Sequence, residues 1–219
     1  MHEFQATLTS MLVFTFASIF SIVNPIGMAP VFLEQTRGHP PSQRHALAYK
    51  VAVYGALLLV VTLFVGPYIL EFFGISLEDI QIAGGLFIFY MAWQMLTTPP
   101  GHHEDNMLDP EDTGTDIAFF PLTMPLTAGA GSIAIAISLS STIADEDTGR
   151  VAGYVGAVIG ICLVFVFVAL CYRFGDVIFE RIGKAGTRVI TRLTAFLLLA
   201  IGVAVAWSGM KPLLLSLHA

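Results

Sequence analysis

The residues of this sequence that are best suited to binding chemistry are uncharged, and they interrupt two long apolar segments. The first interruption is Asn24-Pro25-Ile26-Gly27, and the second covers residues 124–132. Proline removes a backbone hydrogen-bond donor and clashes with the preceding helical turn, and glycine weakens a helix by roughly 1 kcal/mol relative to alanine. Inside a bilayer, backbone groups freed in this way are tolerated only where protein buries them or where they line a wet cavity. The interruptions therefore predict a site between two broken membrane helices.

The chemistry expected of this site is the binding of a zwitterion by helix ends. A helix that restarts after Pro25 or Pro125 presents unpaired N–H groups and a positive dipole end, which favour a carboxylate. A helix that stops before an interruption presents unpaired carbonyl groups, which suit an ammonium group or a cation. The candidate substrate-binding residues are small and neutral: Asn24, Pro25, Gly27, Thr123, Pro125, Thr127, Gly129, Gly131 and Ser132.

The composition is that of an integral membrane protein. Of 219 residues, 56% are hydrophobic and 12% are charged, and the mean hydropathy is +0.79, whereas about a quarter of a soluble domain is charged. The net charge is −6 and the acidic residues crowd into two loops. We therefore expect no binding to nucleic acid or to anionic lipid, both of which require clustered Lys and Arg.

Six segments are long enough to cross a bilayer, which takes about 20 apolar residues. The sequence thus predicts an all-α membrane protein with six transmembrane helices, of which the first and the fourth are broken. The six segments are residues 8–33, 46–72, 77–97, 117–143, 151–172 and 189–213.

Basic residues in the short connections predict the orientation of the chain. The first and the fifth connections carry most of them, so both connections are expected to face the cytoplasm and both termini to lie outside. We expect a multi-pass protein of the cell membrane, the inner membrane in a bacterium. Asp176 is expected to form an ion pair with Arg173 or Arg181 near the membrane surface. The basic residues are Arg37 and Arg44 in the first connection, and Arg173, Arg181, Lys184, Arg188 and Arg192 in the fifth.

Matching features in the two halves of the chain predict an inverted repeat. Pro25 and Pro125 are 100 positions apart. Because each half has an odd number of spans, the halves must enter the membrane in opposite senses. We predict a first three-helix repeat over 1–97, an acidic cytoplasmic connection over 98–116 and a second three-helix repeat over 117–219. At an offset of 109, Gly66, Ile69, Glu71 and Gly74 align with Gly175, Ile178, Glu180 and Gly183.

Enzymes and metal proteins fit the sequence less well. Ser132 could act as a nucleophile only with a base within reach, and all six histidines lie in loops, at span edges or at termini. His102 and His103 stand beside acidic residues, but their spacing matches no metal site, and a solvated acidic loop is the ordinary reading. We expect neither enzyme activity nor a cofactor. A proton or a sodium ion as coupling ion stays open, because no deep charged residue identifies one.

The two interruptions resemble the paired signatures of the MarC family of integral membrane proteins. The resemblance rests on residues 24–27 with Pro30-Val31-Phe32, and on residues 121–126 with 128–133; residues 82–85 and 191–194 are similar to lesser motifs of the family. It implies a LysE-like transporter of six spans in two inverted halves that moves small neutral amino acids such as glycine and alanine. One difference is Ala130, where the family usually has a second proline.

The residues themselves predict a secondary carrier of a small polar solute, which the resemblance narrows to small neutral amino acids, with export as one direction. Two alternatives stay open: a channel-like pore for a small solute or ion, and a membrane assembly protein that transports nothing. A carrier should saturate and show counterflow, whereas a pore should show neither. The expected partners are the small-molecule substrate and the lipid bilayer, and a homo-oligomer is compatible with the sequence.

Overall fold

The computed structural model describes residues 2–97, 117–144 and 149–216, which are helical except for short connections at residues 24, 36–40, 74–76, 128–129 and 149. The acidic connection expected over 98–116, with His102 and His103, lies outside the described residues. The helices are α1 (His2–Val23), α2 (Pro25–Gln35), α3 (Pro41–Phe73), α4 (Leu77–Thr97), α5 (Ala118–Thr127), α6 (Ala130–Ala144) and α7 (Arg150–Ser216).

Five helical stretches in the described ranges are long and apolar enough to cross a membrane. They are α1 with α2 as Phe4–Leu33, then α3, α4 and two parts of α7, Arg150–Phe179 and Ala185–Leu215. These five agree with predicted segments, and the chain is a multi-pass membrane protein. The fourth predicted segment is instead two short helices, α5 and α6. With 15 residues, α6 is about 22 Å long at about 1.5 Å per residue, too short to cross a core of about 30 Å alone.

The last two predicted spans are two helices that follow each other directly and meet at a kink at Gly183, so the connection expected at 173–188 is helical on both sides of that glycine. Helix α7 changes direction at Gly183, where φ is 75° and ψ is 169°. Residues 173–188 contain no proline, so the helix continues as far as Gly183. The backbone there has a positive φ, which residues other than glycine adopt only with strain. We name the two parts α7a (Arg150–Phe179) and α7b (Ala185–Leu215).

Glycines set the closest contacts between helices. A Cβ atom placed on Gly85 would meet the backbone nitrogen of Ala206 and lie 2.7 Å from the carbonyl oxygen of Gly202, so α4 and α7b cross backbone to backbone. A Cβ atom on Gly84 would lie 2.9 Å from the Cβ atom of Ala134 in α6. In a bilayer the hydrophobic effect does not drive helices together, so they associate through close packing, which small residues allow. Helix α4 is therefore held between α6 and α7b.

Candidate functional site

The first interruption is a single residue, Asn24, between α1 and α2. Asn24 has a φ of 48°, a left-handed conformation that asparagine tolerates better than most residues. Its N–H donates to the carbonyl of Phe20 at 2.8 Å, and its side-chain Oδ1 accepts the N–H of Gly27 at 3.2 Å. Pro25 then takes the first position of α2, where a missing N–H costs no helical hydrogen bond. Asn24 thus ends one helix and caps the next.

The second interruption is longer. Within α5, Phe120 (φ −125°, ψ 125°) and Met124 (φ −115°, ψ 121°) are not helical. The hydroxyls of Thr123 and Thr127 compensate by donating to backbone carbonyls five residues earlier, at 2.6 and 2.7 Å. Helix α6 begins only at Ala130, so the helix end expected directly after Pro125 lies farther along the chain.

A cavity of about 40 Å³ lies between the two interruptions. Its polar part comes from the second interruption, through Thr127, Gly129, Gly131 and Ser132. The Ser132 side chain is buried, and its hydroxyl donates to the carbonyl of Gly129 at 2.8 Å. Because the first N–H groups of α6 have no partner inside the helix, the positive end of α6 lies at the cavity wall.

The remaining wall of the cavity is apolar. Helix α4 contributes four side chains, and the rest come from α1, α2, α5 and α7b. The apolar lining consists of Phe87, Ile88, Met91 and Met95 from α4, with Ile22, Met28, Leu126 and Leu198. The cavity is therefore two-faced, with hydroxyls and backbone on one side and hydrocarbon on the other.

Four of the nine predicted site residues line this cavity, all from the second interruption, and Asn24, Pro25, Gly27 and Thr123 are not among the residues that line it. Asn24 caps α2, Pro25 and Gly27 are buried within α2, and Thr123 is buried with its hydroxyl bonded to Ala118. Pro125 lies in α5, and its side chain falls outside the described residues. These residues shape the two interruptions, whereas Thr127, Gly129, Gly131 and Ser132 face the space between them.

Tyr172 of α7a is a residue that the sequence analysis missed. It is buried, and its hydroxyl lies 3.0 Å from Thr127 Oγ1. Because Thr127 already donates its proton to Leu122, Tyr172 is the donor. Its ring stacks on Phe32 of α2 with centroids 4.4 Å apart, so one side chain contacts both interrupted regions. The available signal was a tyrosine in an otherwise apolar segment, since a buried phenol needs a partner.

Asp176 pairs with Arg44, and the expectation of a pair with Arg173 or Arg181 is wrong. Arg44 Nη1 lies 2.9 Å from Asp176 Oδ1, and the two side chains are 17% and 28% exposed. Arg173 lies instead over the ring of Tyr49, 5.6 Å from its centroid. The expectation failed because it considered only neighbours along the chain, whereas the true partner is 132 residues away. The pair joins the beginning of α3 to α7a.

We expect Asp176→Asn to lower the free energy of unfolding by about 1–2 kcal/mol, because a partly buried pair contributes more than a surface pair and less than a fully buried one. Arg44→Gln should cost a similar amount, and the swapped variant R44D/D176R should recover most of the loss. Thermal unfolding in detergent measures all three, with Arg181→Gln at an exposed position as the control. Strict additivity of Arg44→Gln and Asp176→Asn would contradict the pair.

The fold is that of an all-helical, multi-pass integral membrane protein in which a small cavity lies between two interrupted helical regions. The chain belongs to the MarC family: the model of the MarC family integral membrane proteins matches residues 9–214. The family resemblance of the two interruptions is thereby confirmed.

Relatives from distant organisms are similar over nearly their full length. The UPF0056 membrane protein YvbG of Bacillus subtilis is 33% identical over 206 residues, 92% of this chain and 95% of that protein. A UPF0056 membrane protein of Methanocaldococcus jannaschii is 32% identical over 210 residues, 93% of this chain and 97% of that protein. The UPF0056 inner membrane protein MarC of Salmonella typhimurium is 30% identical over 211 residues, 91% of this chain and 94% of that protein. No solved structure matches the chain.

Proposed function

We propose that the chain is a secondary carrier that moves small neutral amino acids, such as glycine and alanine, or similarly small polar solutes across the cytoplasmic membrane. The observation that carries the proposal is the cavity at which the beginning of α6 meets the side chains of Thr127 and Ser132. Helix N–H groups suit a carboxylate. The hydroxyl protons of Thr127 and Ser132 are donated to the carbonyls of Leu122 and Gly129, so these two oxygens are left as acceptors, which suit an ammonium group. None of the described residues that line the cavity is charged, which suits a solute without net charge.

The size of the cavity fits a carrier in a closed conformation. Pockets that hold drug-sized ligands measure about 300–1,000 Å³, whereas this cavity of about 40 Å³ has room for water molecules only. A solute therefore enters only when the helices around the interruptions move. Such movement about a fixed central site is the alternating access of secondary transporters.

We also propose the six-span inverted repeat of the LysE-like transporters, with α5 and α6 together as the fourth span. Gly74 and Gly183, which align in the repeat, both have positive φ, at 65° and 75°. The closest contacts are reciprocal as well. Gly27 of the first span packs on Thr194 of α7b, and Gly131 of the fourth packs on Ile88 of α4. Each interrupted span thus contacts the third span of the other half, as a two-fold relation between halves requires.

We further propose that both termini lie outside. The Arg44–Asp176 pair brings the two basic connections to one end of the bundle, which the distribution of Lys and Arg assigns to the cytoplasm. At the other end, a Cβ atom on Gly149 would lie 3.3 Å from Thr7 near the beginning of the chain. The Salmonella relative is called an inner membrane protein, which agrees with a bacterial inner membrane.

The test is reconstitution into liposomes with radiolabelled alanine. Wild-type protein should give saturable uptake and counterflow. Ser132→Ala and Thr127→Val should each lower kcat/KM for uptake about tenfold, because each removes one polar contact of the site, worth about 1.4 kcal/mol. Thr142→Val, at an exposed hydroxyl of the same helix as Ser132, is the matched control and should transport like wild type.

Two other outcomes would contradict the carrier function, and a third would contradict the position of its site. Flux that neither saturates nor shows counterflow would indicate a pore. Intact wild-type protein that moves neither alanine nor glycine nor serine would favour a membrane assembly protein. Equal transport by Ser132→Ala, Thr127→Val and Thr142→Val would show that the solute does not bind in this cavity.

A further inference from the structure

The cavity wall that faces the second interruption is built for hydrocarbon. Ile88, Met91 and Met95 of α4 are spaced by three and four residues, so they lie on one face of the helix. Met28 of α2 and Leu198 of α7b extend the same surface. A solute that occupies the cavity therefore has hydroxyls and helix N–H groups on one side and only apolar side chains on the other.

A solute made only of polar groups does not match such a cavity. Its groups on the α4 side would lose their hydration without gaining a hydrogen bond, which is unfavourable. A solute with a polar part and an aliphatic part satisfies both sides: the polar part lies at Thr127 and Ser132, and the aliphatic part lies at α4. Each methylene group that moves from water into this apolar space strengthens binding about fourfold.

We infer that the preferred substrates are neutral solutes that join a polar group to a short aliphatic chain, and that Ile88, Met91 and Met95 set the largest chain accepted. This inference rests on the proposed carrier function. It ranks alanine and valine above glycine, and it assigns the selectivity to α4, a helix that carries none of the candidate site residues of the two interruptions.

The three side chains differ in how they can set a size limit. Ile88 is 6% exposed, and a Cβ atom on Gly131 would meet its Cδ1 atom, so the branched and stiff isoleucine is fixed against α6. Met91 and Met95 are only half-buried, and methionine is unbranched with three rotatable bonds. Ile88 is therefore a rigid boundary, and the two methionines are movable boundaries that make room for an aliphatic chain.

The test compares solutes of increasing size as competitors of labelled alanine in proteoliposomes. With wild-type protein, valine should compete better than glycine, and leucine should compete poorly. Met91→Ala and Met95→Ala should each improve leucine relative to alanine about tenfold, the lower end of what one methylene contributes to discrimination. Met210→Ala, at an exposed position of α7b outside the cavity, is the control and should keep the wild-type order.

The outcomes separate this inference from the carrier itself. If alanine is transported but Met91→Ala and Met95→Ala keep the wild-type order, α4 does not set the size limit and the inference is overturned. Glycine competing better than alanine and valine with wild-type protein would overturn it as well. Wild-type protein that moves none of these amino acids would overturn the carrier proposal together with the inference. Both methionine variants are checked by thermal unfolding, so that if one of them misfolds the other still tests the inference.

Discussion

Gly85→Ala should lower the free energy of unfolding by roughly 2 kcal/mol, although alanine is the better helix former. Helix propensity alone favours alanine over glycine by about 1 kcal/mol. The new Cβ atom, however, would meet the backbone nitrogen of Ala206 and lie 2.7 Å from the carbonyl oxygen of Gly202. Backbone atoms cannot rotate aside, so α4 and α7b must separate, and overpacking of this kind costs about 3 kcal/mol. The packing cost exceeds the propensity gain.

Thermal unfolding of the purified protein in detergent measures this effect, with Ala83→Val as the matched control. Ala83 lies on α4 two residues before Gly85 but is exposed, so added methyl groups there meet lipid or detergent rather than another helix. We expect the control to melt within a few degrees of wild type. A Gly85→Ala protein that melts at or above the wild-type temperature would show that α4 and α7b do not cross at this glycine.

Rules that consider only residues close together in the chain, such as helix propensity, mislead at Gly85. The same kind of rule correctly predicts most of the helices and the first interruption. The length of the apolar segments predicted five of the spanning stretches, because crossing a bilayer requires a fixed number of apolar residues. The order Asn24-Pro25 predicted the first interruption, because asparagine tolerates left-handed φ and proline suits the first position of a helix. Both features depend only on residues close together in the chain.

Features that depend on distant residues could not be predicted in this way. Helix α6 begins at Ala130 because the hydroxyls of Thr123 and Thr127 support the irregular α5 up to that point. The partner of Asp176 is set by the packing of α3 on α7a, not by spacing along α7. Which candidate residues reach the cavity depends on how each helix is rotated about its axis, and that rotation is fixed by contacts such as Gly131 on Ile88.

Gly27→Ala should lower the free energy of unfolding by about 2 kcal/mol, and Thr194→Gly in the same chain should restore much of it. A Cβ atom on Gly27 would meet Cγ2 of Thr194 and lie 2.6 Å from Oγ1 and 2.7 Å from Cβ of the same residue. All three atoms belong to one β-branched side chain, which is stiff and only 8% exposed, so it cannot turn away. Unlike the backbone at Gly85, this obstacle can be removed by substitution.

A double-mutant cycle in the same unfolding assay measures the contact. Thr194→Gly alone loses only about 0.3 kcal/mol of helix propensity, because threonine is itself a weak helix former. Recovery in the double variant appears as a coupling energy of about 1 kcal/mol or more between contacting residues. Asn24→Ala removes the cap of α2 at a cost of about 1 kcal/mol, and this cost should not depend on residue 194. Additive effects of Gly27→Ala and Thr194→Gly would show that Gly27 of α2 does not contact Thr194 of α7b. Because Gly27 does not line the cavity, the rescued double variant should also recover alanine uptake, whereas Ser132→Ala should stay impaired in a protein of wild-type stability.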